Sequence, residues 1–176
     1  MIKRKKLVLL IIGAMLIGAI LPSYLLFGWE NIYYNDDYAV RIPGGWTYTT
    51  KSNILMLRPR LAIDPLKPSI AINKAHYDTP IDLKSFNFTK QVERQFALQY
   101  QKYETVYWGF RDIGDKEYVL LEFTGRRLGV SFSACAVFYL TNNNDVYTIL
   151  LLNNSTEKNQ KEFYRVVESL RTKIPE

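Results

Sequence analysis

Two regimes of hydrophobic patterning divide the chain. MIKRKK is followed by an uncharged run from Leu7 to Trp29, 23 residues without a break. As a helix that run reaches about 35 Å, enough for a hydrocarbon core of roughly 30 Å. Beyond it the apolar residues no longer cluster but alternate or recur at helical spacing. Strand signals, rich in β-branched and aromatic residues, fall at 38–42, 54–58, 68–74, 103–112, 117–126, 130–141 and 146–152. Turn residues separate them: Pro43-Gly44-Gly45, Gly114-Asp115-Lys116, Gly129 and Asn142-Asn143-Asn144-Asp145. The last four strands read as a sequential antiparallel meander.

Two helices bracket the meander. Phe88, Val92, Phe96, Tyr100 and Tyr103 form a one-face stripe that predicts a helix over 82–101, with Asp82 as N-cap. Phe163, Val166, Val167, Leu170 and Ile174 predict a second, from Ser155 or Thr156 to Thr172, stopped by Pro175. Along 130–141, Val130, Phe132, Ala134, Ala136, Phe138 and Leu140 share one face. Ser131, Ser133, Cys135, Val137, Tyr139 and Thr141 share the other, and neither face carries a charge. A sheet whose central strand avoids charge on both faces is expected to be covered on both. The predicted fold class is therefore α+β: an N-terminal transmembrane helix, then a twisted antiparallel sheet with helices packed on it as an α/β/α sandwich.

Three segments follow from this: 1–30 as a basic tip and membrane anchor, 31–37 as a short linker, and 38–176 as one folded domain of ordinary size. A cleavable signal peptide has a shorter apolar region ending in small residues, and Gly18-Ala19-Ile20 is a poor site, so an uncleaved signal-anchor is expected. Lys3, Arg4, Lys5 and Lys6 precede the run and Glu30, Asp36 and Asp37 follow it. The positive-inside rule then puts the N-terminus in the cytoplasm and the domain outside, making a single-pass plasma-membrane protein with a periplasmic or cell-surface domain. Tyr24, Phe27, Trp29, Tyr33 and Tyr34 would form an interfacial aromatic belt where the helix leaves the bilayer.

Charge and composition narrow the function classes. The net charge is +6, but Lys3 to Lys6 set against Glu30 supply +3 of it, which leaves an ordinary surface balance and no indication of nucleic-acid binding. Cys135 is the single cysteine and lies in an apolar run, so neither a disulfide nor a cysteine metal cluster can form within the chain. His76 is the single histidine, which excludes multi-histidine metal sites. Ser131 and Ser133 lack a G-x-S-x-G context, and Asp112, Asp115 and Glu117 read as a solvated turn rather than a glycosidase pair or a calcium loop. No glycine-rich phosphate loop occurs. No catalytic residue, metal or cofactor is expected.

Two basic pairs at strand ends, Arg58 with Arg60 and Arg126 with Arg127, could meet anionic lipid headgroups or an acidic partner, or simply keep hairpin tips soluble. The adjoining proline-bounded loop offers Leu61, Ile63 and Leu66, either to the core or to a partner. These seven residues are the candidate partner contact.

A short strand ending in Pro43-Gly44-Gly45-Trp46, a hairpin-like pair, a helix opening at Asp82-Leu83, four antiparallel strands and a closing helix ending in Val167-Glu168-Ser169-Leu170 follow in a specific order. Over 38–174 this order resembles the PsbP/DcrB-like superfamily, as a membrane-anchored bacterial member. The resemblance implies an α/β/α sandwich and a binding or assembly role without catalysis. It departs from the lipid-attached members of that superfamily, since no cysteine stands near the N-terminus, and it carries no functional residue over to a numbered position. The expected function is a membrane-tethered binding or assembly module of the cell envelope acting through protein–protein contacts; the alternative is an extracytoplasmic hydrolase using His76.

Overall fold

The computed structural model describes residues 31–61, 67–153 and 156–172. The expected anchor, with its bounds at Leu7 and Trp29, lies outside the described residues, as do Ile63, Leu66 and Ile174. Among the described residues no helix is long and apolar enough to cross a membrane.

Strands β1 (Asn31–Tyr34), β2 (Tyr38–Ile42), β3 (Trp46–Lys51), β4 (Ile54–Pro59) and β5 (Ser69–His76) come first, followed by helix α1 (Phe86–Gln99). Strands β6 (Gln101–Ile113), β7 (Lys116–Arg127), β8 (Val130–Leu140) and β9 (Asp145–Leu152), helix α2 (Glu157–Ser169) and β10 (Arg171–Thr172) complete the order. Seven strands form one antiparallel sheet in the order β3-β4-β5-β9-β8-β7-β6; β1, β2 and β10 form a second, small antiparallel sheet. The fold is α+β, and the β6 to β9 meander is present as the turn residues indicated.

The large sheet is covered on both faces. On one, Phe88, Val92 and Phe96 of α1 pack with Leu121, Phe123, Phe132, Ala134, Ala136 and Phe138. On the other, Phe163, Val166 and Val167 of α2 pack with Tyr118, Leu120, Cys135, Val137, Ile149 and Leu151. β8 feeds both layers because its successive side chains point to opposite faces. Each fully buried aromatic or aliphatic side chain contributes roughly 1.5–3 kcal/mol by leaving water.

Both helices start or stop at points that the stripes alone misplace. Ser85, not Asp82, is the N-cap of α1, its Oγ accepting from the Phe88 N–H at 3.2 Å. Asp82 instead makes an earlier turn, accepting the Lys84 N–H on Oδ1 at 2.8 Å and the Ser85 N–H on its carbonyl. That turn lets Leu83 bury itself ahead of the helix. α1 ends at Gln99, so Tyr103 belongs to β6; it still stacks on Phe96, at 6.4 Å between ring centroids, and the match to helical spacing came from a strand. α2 is capped by Thr156 and ends at Ser169, whose Oγ takes the Arg41 N–H at 2.9 Å. Arg171 and Thr172, expected as helix, pair with Ala39 and Tyr38 as β10.

The segment 31–37, expected as a linker, holds β1. Asn31 pairs with Ile42 and Tyr34 with Ala39, and the Asn35 Oδ1 closes the turn by accepting from the Asp37 and Tyr38 N–H groups at 2.9 Å each. Tyr33, expected in an aromatic belt, lies against Tyr48 and Tyr38, at 5.3 and 6.0 Å between centroids. A β-prone Ile-Tyr-Tyr beside an otherwise open β2 edge gains ladder hydrogen bonds that a free spacer would leave to water.

Candidate functional site

Register along the large sheet sets which sequence-distant residues meet. β4 pairs Leu57 with Ile70, β5 pairs Ser69 with Leu152, β9 pairs Leu152 with Ala134, and β7 pairs Arg127 with Val130. The β3–β4 hairpin's open end, the entry to β5, the exit of β9 and the β7–β8 turn therefore lie at one end of the sheet. There Arg58, Lys67 and Arg127 border a cleft of about 230 Å³ together with Ser69, Leu128, Phe132, Leu152 and Asn153. Arg58 and Arg127, read from sequence as members of two separate pairs, share this one site.

The other members of the candidate contact set separate from it. Arg126 turns back on its own hairpin, Nε donating to the Gly129 carbonyl at 2.7 Å, and so braces the turn. Arg60 donates its backbone N–H to the Gly45 carbonyl at 2.9 Å, which ties the start of the proline-bounded loop to the Pro-Gly-Gly-Trp turn. Leu61 is 77% exposed rather than tucked under the sheet.

Lys67, Ser69 and Leu128 were not singled out from sequence. Leu128 and Gly129 form a two-residue hairpin turn with φ of 50° and 82°, the left-handed pair of a type I′ turn. Asparagine or glycine is the usual occupant of the first position; here a leucine holds it and is 89% exposed. The signal available was Arg-Arg-Leu-Gly between two strands, whose turn type needs φ > 0 at a bulky residue.

At the opposite end of the sheet His76 Nδ1 lies 2.8 Å from Asp145 Oδ1. Asp145 also meets Lys74, at 3.1 Å, and Lys74 reaches Asp37 at 2.7 Å. Burial would raise the Asp145 carboxyl, but the hydrogen bonds from His76 and Lys74 outweigh it and hold the group below its ordinary value. A carboxylate-oriented imidazole could serve as a general base, yet among the described residues its one hydrogen-bond partner is Asp145. Ser131 and Ser133 pair with Arg126 and Thr124 toward the basic end, away from His76. Ser52 lines the same cleft as His76 without bonding to it.

The remaining candidates are engaged in the fold. Burial, with a smaller push from the Glu122 charge, raises the Cys135 thiol to about 12 and so disfavours the thiolate that a nucleophile or metal ligand needs. Glu117, opposite Asp112 at the β6–β7 turn, pairs at 2.7 Å with Lys84 from the segment before α1. Lys116 donates to the Leu170 carbonyl at 2.7 Å, closing the C-terminal end of α2, and burial lowers its pKa. Among the described residues no group of three or more His, Cys, Asp or Glu side chains could hold a metal ion, and no buried side-chain polar atom lacks a partner.

No protein-family model and no curated protein sequence matches the chain. Solved structures do. A cyanobacterial PsbP (CyanoP) from Synechocystis superposes with a TM-score of 0.60 at 18% identity, covering 81% of this chain and 92% of that one. LpqN, involved in cell envelope biogenesis of Mycobacterium tuberculosis, gives a TM-score of 0.54 at 13% identity over 82% of this chain and 90% of that one. A Bacteroides thetaiotaomicron protein gives 0.56 at 8% identity over 78% of this chain, which spans only 45% of its length. Identities this low speak to architecture alone, and on architecture the chain has the PsbP/DcrB-like fold.

Proposed function

We propose that the chain is a non-catalytic binding or assembly module of the cell envelope, tethered to the membrane by its N-terminal apolar run and acting through contacts with another membrane or envelope protein. One observation carries the reading: among the described residues the exposed His76 hydrogen-bonds to Asp145, which it shares with Lys74, and to no serine, while the Cys135 thiol is buried. The fold shared with LpqN, a protein involved in cell envelope biogenesis, supports the envelope setting. The Leu7 to Trp29 run, with basic residues before it and Glu30, Asp36 and Asp37 after it, supports the tether and the outward-facing domain.

The expected outcome is that membranes washed at alkaline pH retain the full chain and that protease added from the extracytoplasmic side digests the domain. In-membrane crosslinking should then capture a protein partner. Release by alkali would remove the tether, and a captured set no different from that of an unrelated anchor would remove the binding role. The hydrolase alternative rests on the His76–Asp145 pair; it gains ground only if His76→Ala abolishes function in a protein that stays folded.

A further inference from the structure

We propose that the basic end of the domain lies on the surface of the anionic lipid bilayer to which the chain is tethered, with the β7–β8 turn and Leu61 as its apolar contacts. The inference rests on the tether proposed above and adds an orientation and a lipid chemistry to it.

The first argument is where the described chain begins. Asn31 pairs with Ile42 at the open end of the small sheet, and Ile42 leads through Pro43 to Gly45, whose carbonyl holds the Arg60 N–H. The N-terminal segment therefore joins the domain at the end that carries Arg58, Arg60 and the basic cleft. With β1 at 31–34, an anchor that runs to Trp29, as proposed above, would leave two residues before Asn31, at most about 7 Å of extended chain. A domain held that closely must turn the end where it is attached toward the bilayer.

Charge is the second argument. Arg58, Lys67 and Arg127 face one cleft at this end, and Arg126 stands beside them. The far end carries Asp36, Asp37, Asp78, Asp112, Asp115, Glu117 and Asp145 at or beside its turns, interspersed with Lys51, Lys74, Lys84 and Lys116. The far end is mixed in charge, so the attachment end is the more basic of the two. Each lysine or arginine near an anionic leaflet adds attraction that fades within a Debye length, which suits a surface kept a few ångströms away by the tether.

Exposed apolar residues supply the third. Leu128, Leu61 and Val130 are 89%, 77% and 41% exposed and sit among those cations. Leu128 remains a leucine at a φ of 50°, where asparagine or glycine would relieve backbone strain and cover no apolar surface. Apolar tips ringed by basic side chains enter the headgroup region, with the cations at the phosphates and the leucines at the acyl boundary. An acidic protein surface would satisfy the cations but leaves the attachment geometry without a role.

The test uses the full chain in nanodiscs of phosphatidylcholine alone or mixed with phosphatidylglycerol. In a Cys135→Ala background, one fluorophore is placed at Leu128→Cys and another at Asn143→Cys in the far turn, and quenching by a headgroup nitroxide lipid is read at each. The expected result is several-fold stronger quenching at position 128 than at 143 on the anionic discs. That difference should shrink on neutral discs and at about 1 M salt, where the Debye length falls to about 3 Å. It should also shrink in the Arg58→Glu/Lys67→Glu/Arg127→Glu variant, whose fold is checked by its near-ultraviolet circular dichroism. Equal quenching at both positions, in a chain that alkali does not extract, overturns the orientation while leaving the tether intact, and would hand the basic end to an acidic protein. If alkali does extract the chain, the tether fails. The released protein is then sedimented with phosphatidylglycerol vesicles: binding lost on charge reversal retains the lipid surface, and no binding overturns it.

Discussion

Lys74 Nζ lies 2.7 Å from Asp37 Oδ1 and so fastens the β1–β2 turn of the small sheet to the middle strands of the large one. Asp145, 3.1 Å from the same ammonium and 2.8 Å from His76, completes the clasp. The single histidine shares the Asp145 carboxylate, which braces the Lys74 ammonium from within the large sheet while Asp37 takes it from the small one.

The clasp makes stability pH-dependent in a defined direction. The Asp145 pKa is lower in the folded chain than its ordinary 3.8, so its contribution is present above that value and is lost as the pH falls through the folded one. Asp145→Asn should cost about 1 kcal/mol at neutral pH, and the gap between variant and parent should close in acid. Urea unfolding at a series of pH values checks it; a gap that stays constant below 3.8 refutes the assignment.

Each face of the large sheet has its own aromatic anchor. Phe163→Ala and Phe96→Ala should each cost about 3–5 kcal/mol, because both rings are buried, one under α2 and one under α1. Since they sit on opposite faces, the double variant should lose the sum to within about 0.5 kcal/mol. A cost below about 1 kcal/mol for either, by equilibrium denaturation, would mean that its helix is not a core element.

Cys135 should resist alkylation in the native protein even in mildly alkaline buffer, because its thiolate is disfavoured by burial and by the Glu122 charge. Iodoacetamide labelling followed by mass spectrometry should report modification only at denaturant concentrations that unfold the chain. Labelling at native conditions would place the thiol in an open environment.

The β7–β8 turn carries a strain that substitution can relieve or worsen. Leu128→Gly should stabilise the domain by about 0.5–1 kcal/mol, since a φ of 50° suits glycine and the exposed side chain packs on little. Gly129→Ala should destabilise it, entirely through its φ of 82°, because an added Cβ would meet nothing within 4 Å. Thermal denaturation separates the two; equal effects of one sign would contradict the turn type.

Periodicity carried most of the architecture because burial on a sheet or a helix imposes periods of 2 and 3.6 that local sequence records. The alternation along 130–141 gave both faces of β8, and the Phe88, Val92, Phe96 and Phe163, Val166, Val167 stripes gave the faces of both helices. Three strands escaped. In β3 only Trp46 is buried, so Thr47 to Lys51 carry no alternation to read. β1 and β10 exist because β2 offers them edges, which is a property of the assembled sheet and not of Asn31–Tyr34 or Arg171–Thr172 alone.

The candidate surface divides along the same line. That Arg58, Arg60, Leu61, Arg126 and Arg127 stand at strand ends was decided by the sequence, since turns there are marked by proline and glycine. That Arg58 and Arg127 face each other across one cleft with Lys67, while Arg126 bends onto Gly129, was decided by strand order β4-β5-β9-β8-β7 and its register. Local chemistry can say where a chain turns, whereas which turns become neighbours depends on long-range pairings that no short window contains.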